Sequence, residues 1–346
     1  MFRQTLFALV LTLVMTGCRQ VQSPATTTAS PNLSADQVAA FEAAAAYSEE
    51  RGGVSLIVWR DGEILYERYE AGSSAAEAHA LHSGTKSFSC AIAVAAASDG
   101  LLTLDEPVAE TITEWADNPR KSQITIRQLI SLSSGLSGGT VGETPTYTEA
   151  LAFRMVGDPG TTFDYGPVPF QVFGLVMQRK LNGESPLDYL QRQVFNPIGL
   201  TYADWDYTAD GEPHLPNGAH LTAREWLKYG ELILNRGQWQ GQQVLDEALL
   251  AECFQGSAAN PAYGLSWWLP MAEGGDLSQD AINNGTTGAM NTSNAPADLL
   301  QASGAQGQRL FIMPSLGTII VRQAEPGGSN DNFSNTRFLQ LLAPAR

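Results

Sequence analysis

The stretch HSGTKSFSCAIAVAAAS, residues 82–98, decides the fold and points to the chemistry of this chain. It opens with small polar residues and continues as an alanine-rich apolar run. That pattern predicts a helix over residues 83–98 that passes from a surface into a core. Residues three apart on a helix share a face, so we expect Ser83 and Lys86 to point the same way in the first turn.

Lys86 differs from the other lysines of the chain, because among the four it alone has a serine three positions before it. Its apolar surroundings place the amine near a dry core, where desolvation disfavours the charged form and lowers the pKa. A neutral amine beside a serine hydroxyl can take its proton and make Ser83 a nucleophile. The positive end of the helix also favours the negative charge that develops there. The structural alternative is a serine that caps the helix, followed by a surface lysine.

Composition limits the classes of protein that remain. The chain has 346 residues, of which 43% are hydrophobic and 16% charged, enough for a large core and two lobes. Its net charge of −16 repels phosphate, so we do not expect nucleic acid as a partner. Histidines and cysteines show no metal-ligand spacing, so we expect no metal and no cofactor.

The N-terminus has the layout of an export signal. Residues 1–17 contain one basic residue, a short apolar run and small residues before Cys18. The tetrapeptide MTGC resembles a bacterial lipobox, which predicts cleavage before Cys18 and lipidation there. The protein would then be exported and lipid-anchored at the periplasmic face of a bacterial membrane, and a plain signal peptide is the alternative. Residues 18–33, rich in Thr, Ser and Pro, are interpreted as a disordered linker before one folded domain over residues 34–346.

Strand patterns occur near both ends of the chain. Residues 53–72 form two β-rich runs around Asp61-Gly62, which is a strong hairpin signal. Residues 307–323 form a second hairpin that turns at 314–317. A capped, alanine-rich helix begins at Ser34, and another helix closes the chain.

The middle of the chain is mostly helical by pattern. The fold class is therefore α/β (α+β), with one antiparallel sheet formed by both chain ends, flanked by terminal helices, and an inserted, mainly helical lobe. The polar residues 273–298 predict a long loop of the kind that often forms a binding rim. Further helices are predicted over residues 126–132, 168–181, 186–195, 223–235 and 246–254.

Several segments, in order, resemble the serine β-lactamase and penicillin-binding superfamily, in its class C-like branch. The S-x-x-K pair lies in LHSGTKSF, DGLLTLDEPV follows the helix, ITIRQLISLSSGL comes next, and PGTTFDYGPV carries the second motif, Y-x-N. The resemblance extends from about Leu33 to the C-terminus and implies a β-lactamase/transpeptidase-like domain over residues 34–346. It implies Ser83 as the nucleophile, Lys86 as its base and Tyr165 as the residue that shuttles protons.

The chain departs from the superfamily at the second and third motifs. Pro167 stands where Y-x-N has its asparagine, and residues 302–304, Ala-Ser-Gly, stand where K-T-G is expected. The third-motif cation holds a substrate carboxylate in lactamases and D-Ala-D-Ala peptidases. Arg309 or Arg322 can replace it, but each is interpreted as an ordinary charge on a strand.

These departures resemble the esterase-type members of the superfamily and imply a neutral ester or amide as the substrate. They imply Ser303 and Gly304 as substrate-binding residues. The backbone N–H groups of Ser83 and Ala305 are the implied oxyanion hole.

Three other functions remain open at this point. The chain can be a β-lactamase or D-Ala-D-Ala carboxypeptidase, or a catalytically inactive β-lactamase-like binding protein, which the altered motifs favour. It can also use GLSGG as a nucleophile elbow centred on Ser137, with Asp204 or Asp206 and His214 or His220 as partners. That elbow needs a strand before it, whereas the residues before Ser137 have a helical pattern.

Two cysteines, Cys90 and Cys253, remain after Cys18. Cys90 lies two helical turns beyond Ser83, on a face expected to be core. We expect two buried free thiols, although an exported protein can pair them.

Overall fold

The computed structural model describes residues 23–270, 295–325 and 333–343. Residues 1–22, with the predicted signal peptide and Cys18, and most of the predicted loop 273–298 lie outside the described residues. The strands are β1 (Thr26–Ala29), β2 (Gly53–Arg60), β3 (Glu63–Tyr69), β4 (Ala78–Ala80), β5 (Asp204–Trp205), β6 (Ala219–Thr222), β7 (Gln238–Trp239), β8 (Gln242–Gln243), β9 (Leu300–Ser303), β10 (Arg309–Met313) and β11 (Thr318–Ala324). The α-helices are α1 (Ala35–Glu49), α2 (Ser87–Ser98), α3 (Ile126–Ile130), α4 (Tyr147–Ala152), α5 (Val168–Lys180), α6 (Pro186–Leu190), α7 (Ala223–Leu234), α8 (Glu247–Glu252) and α9 (Asn335–Leu342).

One sheet made from both ends of the chain organises the fold. It has six strands in the order β1-β3-β2-β11-β10-β9, and every neighbouring pair is antiparallel. The terminal helices α1 and α9 pack together on one face of the sheet. Helix α7 packs on the other face, in the same core as the remaining helices. This arrangement confirms the predicted fold class.

Strand β10 shows how the sheet separates two cores. Leu310 and Ile312 belong to the larger core, which contains α2, α5 and α7. Phe311 and Met313 belong to the smaller core under α1 and α9. Successive side chains of a strand point to opposite faces, so a strand covered on both faces is buried throughout.

Local signals position the ends of these elements. Ser34 caps α1 in a capping box with Gln37. Asp61 and Gly62 turn the first hairpin with φ values of 48° and 96°, the left-handed region that such two-residue turns require. Gly317 closes the second hairpin with a φ of 54°. Both predicted hairpins are confirmed.

The predicted helix over residues 83–98 is built in two parts. Its first turn is a 3₁₀-helix, His82–Lys86, and α2 continues from Ser87 to Ser98. The five further predicted helices contain α3, α5, α6, α7 and α8, with ends that differ by a few residues. Residues 191–195, directly after α6, form one turn of π-helix. Among the described residues, none of the helices has the length and apolar character needed to cross a membrane.

Strand β1 corrects part of the linker interpretation. It pairs antiparallel with β3, with Thr26 opposite Tyr69, so residues 26–29 are not disordered. All four of its residues are exposed, so its side chains carry no apolar alternation that would indicate a strand. Backbone hydrogen bonds to a sheet edge hold it, and the β-branched threonines favour the extended backbone.

The cysteines correct a second expectation. Cys90 of α2 and Cys253, directly after α8, form a disulfide with their Cα atoms 6.1 Å apart. The expectation of two free thiols is therefore wrong. The two residues are 163 positions apart, and only the packing of α2 against α8 brings them together.

Candidate active site

Ser83 and Lys86 meet in the 3₁₀ turn that precedes α2. Lys86 Nζ donates to Ser83 Oγ at 3.1 Å and to the carbonyl oxygen of Pro216 at 3.1 Å. Residues three apart eclipse in a 3₁₀-helix, so this turn holds the two side chains closer to one line than an α-helix would. The structure therefore brings together the serine and the lysine singled out by their spacing.

Burial controls the charge of Lys86. The side chain is 4% exposed, and its amine lies 4.9 Å from the ring centre of Tyr165 and 5.4 Å from that of Phe170. Burial lowers the pKa of Lys86 to about 7. Its hydrogen-bond acceptors among the described residues are a hydroxyl and a carbonyl, so no carboxylate offsets this desolvation. The amine can act as a base at neutral pH.

Tyr165 lies beside both Ser83 and Lys86, three residues before α5 begins. Its ring is buried and stacks on Trp268 at 5.6 Å between ring centres. Burial raises the pKa of Tyr165 to about 12, against the lowering effects of a hydrogen bond with Ser83 and of the positive charge on Arg309. Tyr165 is therefore a neutral hydroxyl at neutral pH. Pro167, at the asparagine position of the second motif, is the N-cap residue of α5.

The end of β9 lies against the start of the 3₁₀ turn His82–Lys86. A Cβ added at Gly304 would collide with the carbonyl oxygen of Leu81, two residues before Ser83, so glycine is required for this approach. Ala305 follows and is exposed. Among the described residues, the N–H groups of Ser83 and Ala305 have no backbone acceptor. These two N–H groups are available to a ligand.

The side chain of Ser303, predicted to bind substrate together with Gly304, points into the sheet face under α1 and α9. It is 8% exposed and lies opposite Arg309 in the β9–β10 ladder. Residues directly opposite in an antiparallel ladder share a face, so Ser303 points to the face of Phe311 rather than to that of Leu310. At the end of β9, the candidate site is therefore formed by backbone groups rather than by the Ser303 side chain.

Sequence patterns did not identify an aromatic wall beside Tyr165. Tyr263 packs edge-on against Trp268 at 4.7 Å, and Phe163 lies 5.4 Å from Tyr263. Trp268 also exchanges two backbone hydrogen bonds with Gln301 at the outer edge of β9, both 3.0 Å long. The aromatic-rich stretch YGLSWW, residues 263–268, was the available signal, but only the fold places its rings against Tyr165.

The two strand arginines also differ from their interpretation. Arg309 is 7% exposed and Arg322 is fully buried, so neither is an ordinary surface charge. Each lies in a largely apolar strand, RLFIM or TIIVRQA, and that composition was the signal in the sequence. Both donate hydrogen bonds to backbone carbonyls of the turn after β9, and each has further partners in the terminal helices or just after them.

The nucleophile-elbow alternative does not assemble. Ser137 lies in a loop after α3, and its hydroxyl accepts the Gly139 N–H at 3.4 Å. His220 contacts Asp206 at 3.2 Å, and no hydrogen bond of the described residues joins that pair to Ser137. Nor do the described residues contain a group of three or more His, Cys, Asp or Glu side chains able to hold a metal ion.

Residues 38–343 match the model of the Beta-lactamase family, so the chain belongs to this family of serine hydrolases. A curated relative is the 6-aminohexanoate-dimer hydrolase of Paenarthrobacter ureafaciens, 23% identical over 310 residues, which cover 79% of this chain and 73% of that protein. The lovastatin esterase of Penicillium rubens is 26% identical over 152 residues, 35% of this chain and 38% of that protein. Among solved structures, a class C β-lactamase from Rhodobacter sphaeroides has a TM-score of 0.65 at 19% identity, covering 90% of this chain and 99% of that one, and shares the fold.

Proposed function

We propose that this chain is an esterase-like serine hydrolase that cleaves a neutral ester or amide through an acyl-enzyme on Ser83. The observation that carries the proposal is the 3.1 Å contact between Ser83 Oγ and the buried amine of Lys86, whose pKa is about 7. A nucleophile in hydrogen-bond contact with a base that is substantially neutral at pH 7 is the arrangement that covalent catalysis needs.

Acylation begins when Ser83 Oγ attacks the substrate carbonyl carbon and Lys86 takes the hydroxyl proton. The carbonyl oxygen becomes an oxyanion, which the N–H groups of Ser83 and Ala305 stabilise. As the intermediate collapses, the bond to the leaving alcohol or amine breaks. The neutral Tyr165 hydroxyl gives that group a proton and recovers one from the Lys86 ammonium.

Deacylation uses the same groups with water as the nucleophile. Lys86 takes a proton from water as the water oxygen attacks the acyl carbon. Collapse breaks the bond between Ser83 Oγ and the acyl carbon, and Ser83 regains its proton from Lys86. The carboxylic acid leaves, and no cofactor enters the cycle.

The proposed substrate is neutral because the third-motif lysine is absent. Residues 302–304 place Ala-Ser-Gly at that position, so no cationic side chain stands there to hold a substrate carboxylate. One curated relative is named a 6-aminohexanoate-dimer hydrolase and another a lovastatin esterase. An amide bond joins two aminohexanoate units, so these names support both bond types.

We also propose that the protein is exported and lipid-anchored through Cys18. The lipobox-like MTGC supports this, and so does the Cys90–Cys253 disulfide, because such bonds persist in oxidising compartments. Strand β1 begins at Thr26, so only residues 19–25 would separate the anchor from the fold. The domain would stand close to the membrane surface.

The test of the catalytic proposal is covalent labelling of the purified protein with a fluorophosphonate, located by peptide mass spectrometry. Ser83 should be the labelled residue. Ser83→Ala should lose both labelling and ester turnover with an unchanged circular dichroism spectrum. Ser137→Ala is the matched control and should keep both. Label on Ser137, or full activity in Ser83→Ala, would refute the mechanism.

A hydrolysis panel separates the remaining functions. It contains p-nitrophenyl esters, a chromogenic cephalosporin, a D-Ala-D-Ala peptide and short amide oligomers. Turnover of esters or amides supports the proposal. Turnover of none of them, with no acyl-enzyme trapped, would instead support a binding protein that has lost catalysis.

A further inference from the structure

Two buried arginines hold the turn that connects β9 to β10. Arg309 and Arg322 lie opposite each other in the β10–β11 ladder, on the face covered by α1 and α9. Within the turn, Gln306 and Gly307 have φ values of 60° and 83°. A Cβ added at Gly307 would collide with Arg322 Nη1, so the turn and the arginine fit closely.

The two arginines bind different carbonyls of this turn. Arg309 Nη1 donates to the carbonyl oxygens of Gly304 and Gln308, each at 2.8 Å, and its Nε donates to Asn335 Oδ1 at 2.9 Å. Arg322 Nη1 donates to the carbonyl oxygen of Gly307 at 2.6 Å. Its other donors bind Ser48 and Arg51 at the end of α1. Of the two arginines, Arg309 is the one that bonds to the Gly304–Ala305 peptide.

The direction of the Gly304 carbonyl determines that of the next N–H group. The Gly304 N–H donates to Gln308 on the β10 side at 2.9 Å, and the Gly304 backbone is extended, with φ −120° and ψ 163°. In extended backbone the N–H and C=O of one residue point to the same side. In a trans peptide the C=O and the following N–H point in opposite directions. The Ala305 N–H therefore points away from β10, to the outer edge of β9.

That outer edge borders the active site. Gln301 bonds there to Trp268, and Trp268 stacks on Tyr165. Gly304 also contacts Leu81, two residues before the nucleophile, on the face of the sheet that carries the larger core. The Ala305 N–H is thus directed to the side on which Ser83 and Tyr165 lie.

We infer that Arg309 is a positioning residue that orients and polarises the Ala305 N–H as an oxyanion donor. A charged donor on the Gly304 oxygen holds the peptide plane in place. It also draws electron density toward that oxygen, which makes the attached N–H a stronger donor, as in chains of hydrogen bonds. The inference rests on the proposed function, because it assigns a role within the same oxyanion hole.

The experiment compares Arg309→Met with Arg322→Met, a matched change at the second arginine of the same turn. The substrate is an ester that gives a stable acyl-enzyme, and the readouts are kcat, KM and the infrared stretch of the acyl carbonyl. Arg309→Met should lower kcat by at least about tenfold and by no more than the roughly 10²–10³-fold that complete loss of one oxyanion donor costs, with little change in KM. Its acyl carbonyl band should move to higher wavenumber, because a weaker hydrogen bond leaves more double-bond character. Arg322→Met should lower the melting temperature and leave the band in place.

A milder variant covers the case in which Arg309→Met does not fold. Asn335→Ala removes the acceptor of Arg309 Nε and keeps the guanidinium, so the same two readouts should move in the same direction by a smaller amount. An unshifted band and unchanged kcat in folded Arg309→Met, or in Asn335→Ala if that is the folded variant, would overturn the inference. An equal shift in Arg322→Met would overturn it as well. Absence of any acyl-enzyme in the unmodified protein would instead contradict the proposed function.

Discussion

The pH dependence of catalysis tests the role of Lys86 most directly. Burial lowers its pKa from the ordinary 10.5 to about 7. At pH 7 about half of the amines are then neutral, compared with about one in three thousand for an unperturbed lysine. The neutral form is the base, so kcat/KM for a neutral ester should rise with pH along one limb with its midpoint at about 7. Below that midpoint the rate should fall by about tenfold per pH unit.

The assay is the initial rate of p-nitrophenyl ester hydrolysis between pH 5 and 9, corrected for spontaneous hydrolysis. Lys86→Ala should lose the limb and about two orders of magnitude in rate, the usual scale for a general base. Lys86→Arg should not restore it, because a guanidinium does not give up its proton. Lys121→Ala is the control, because this lysine donates to the Leu151 carbonyl and not to Ser83. It should leave the rise of the rate with pH intact. A flat profile, or a limb that survives in Lys86→Ala, would refute the argument.

Further predictions concern the disulfide, the anchor and the substrate. Replacing both Cys90 and Cys253 by alanine should lower the free energy of unfolding by about 2–5 kcal/mol, because the disulfide closes a very long loop. Urea titration of the unmodified protein and of the double variant measures this difference, and equal unfolding midpoints would contradict the prediction. Mass spectrometry of the mature protein should find a diacylated or triacylated N-terminal Cys18, and an unmodified N-terminus beyond that residue would exclude the anchor. Short-chain esters should be hydrolysed more efficiently than any cephalosporin, and the opposite order of kcat/KM would show that the missing third-motif lysine does not determine substrate class.

Local patterns in the chain predicted the parts of the fold that depend on neighbours in sequence. The cap at Ser34 and the hairpin at Asp61-Gly62 are determined by side-chain and backbone geometry within a few residues. The spacing of Ser83 and Lys86 likewise places the two side chains on one side of a single turn. The family resemblance added Tyr165, which local patterns alone would have left as a loop aromatic.

Tertiary packing decided the properties that depend on residues distant in sequence. Strand β1 is held by backbone bonds to β3, and backbone bonds leave no trace in side-chain pattern. The disulfide depends on how α2 meets α8 across the intervening residues. The arginines Arg309 and Arg322 look like strand charges in sequence, yet the covering helices bury both and direct them to the turn after β9. Sequence spacing put Lys86 beside Ser83, but only the packed aromatic side chains around its amine lower its pKa, because desolvation is a property of the assembled core.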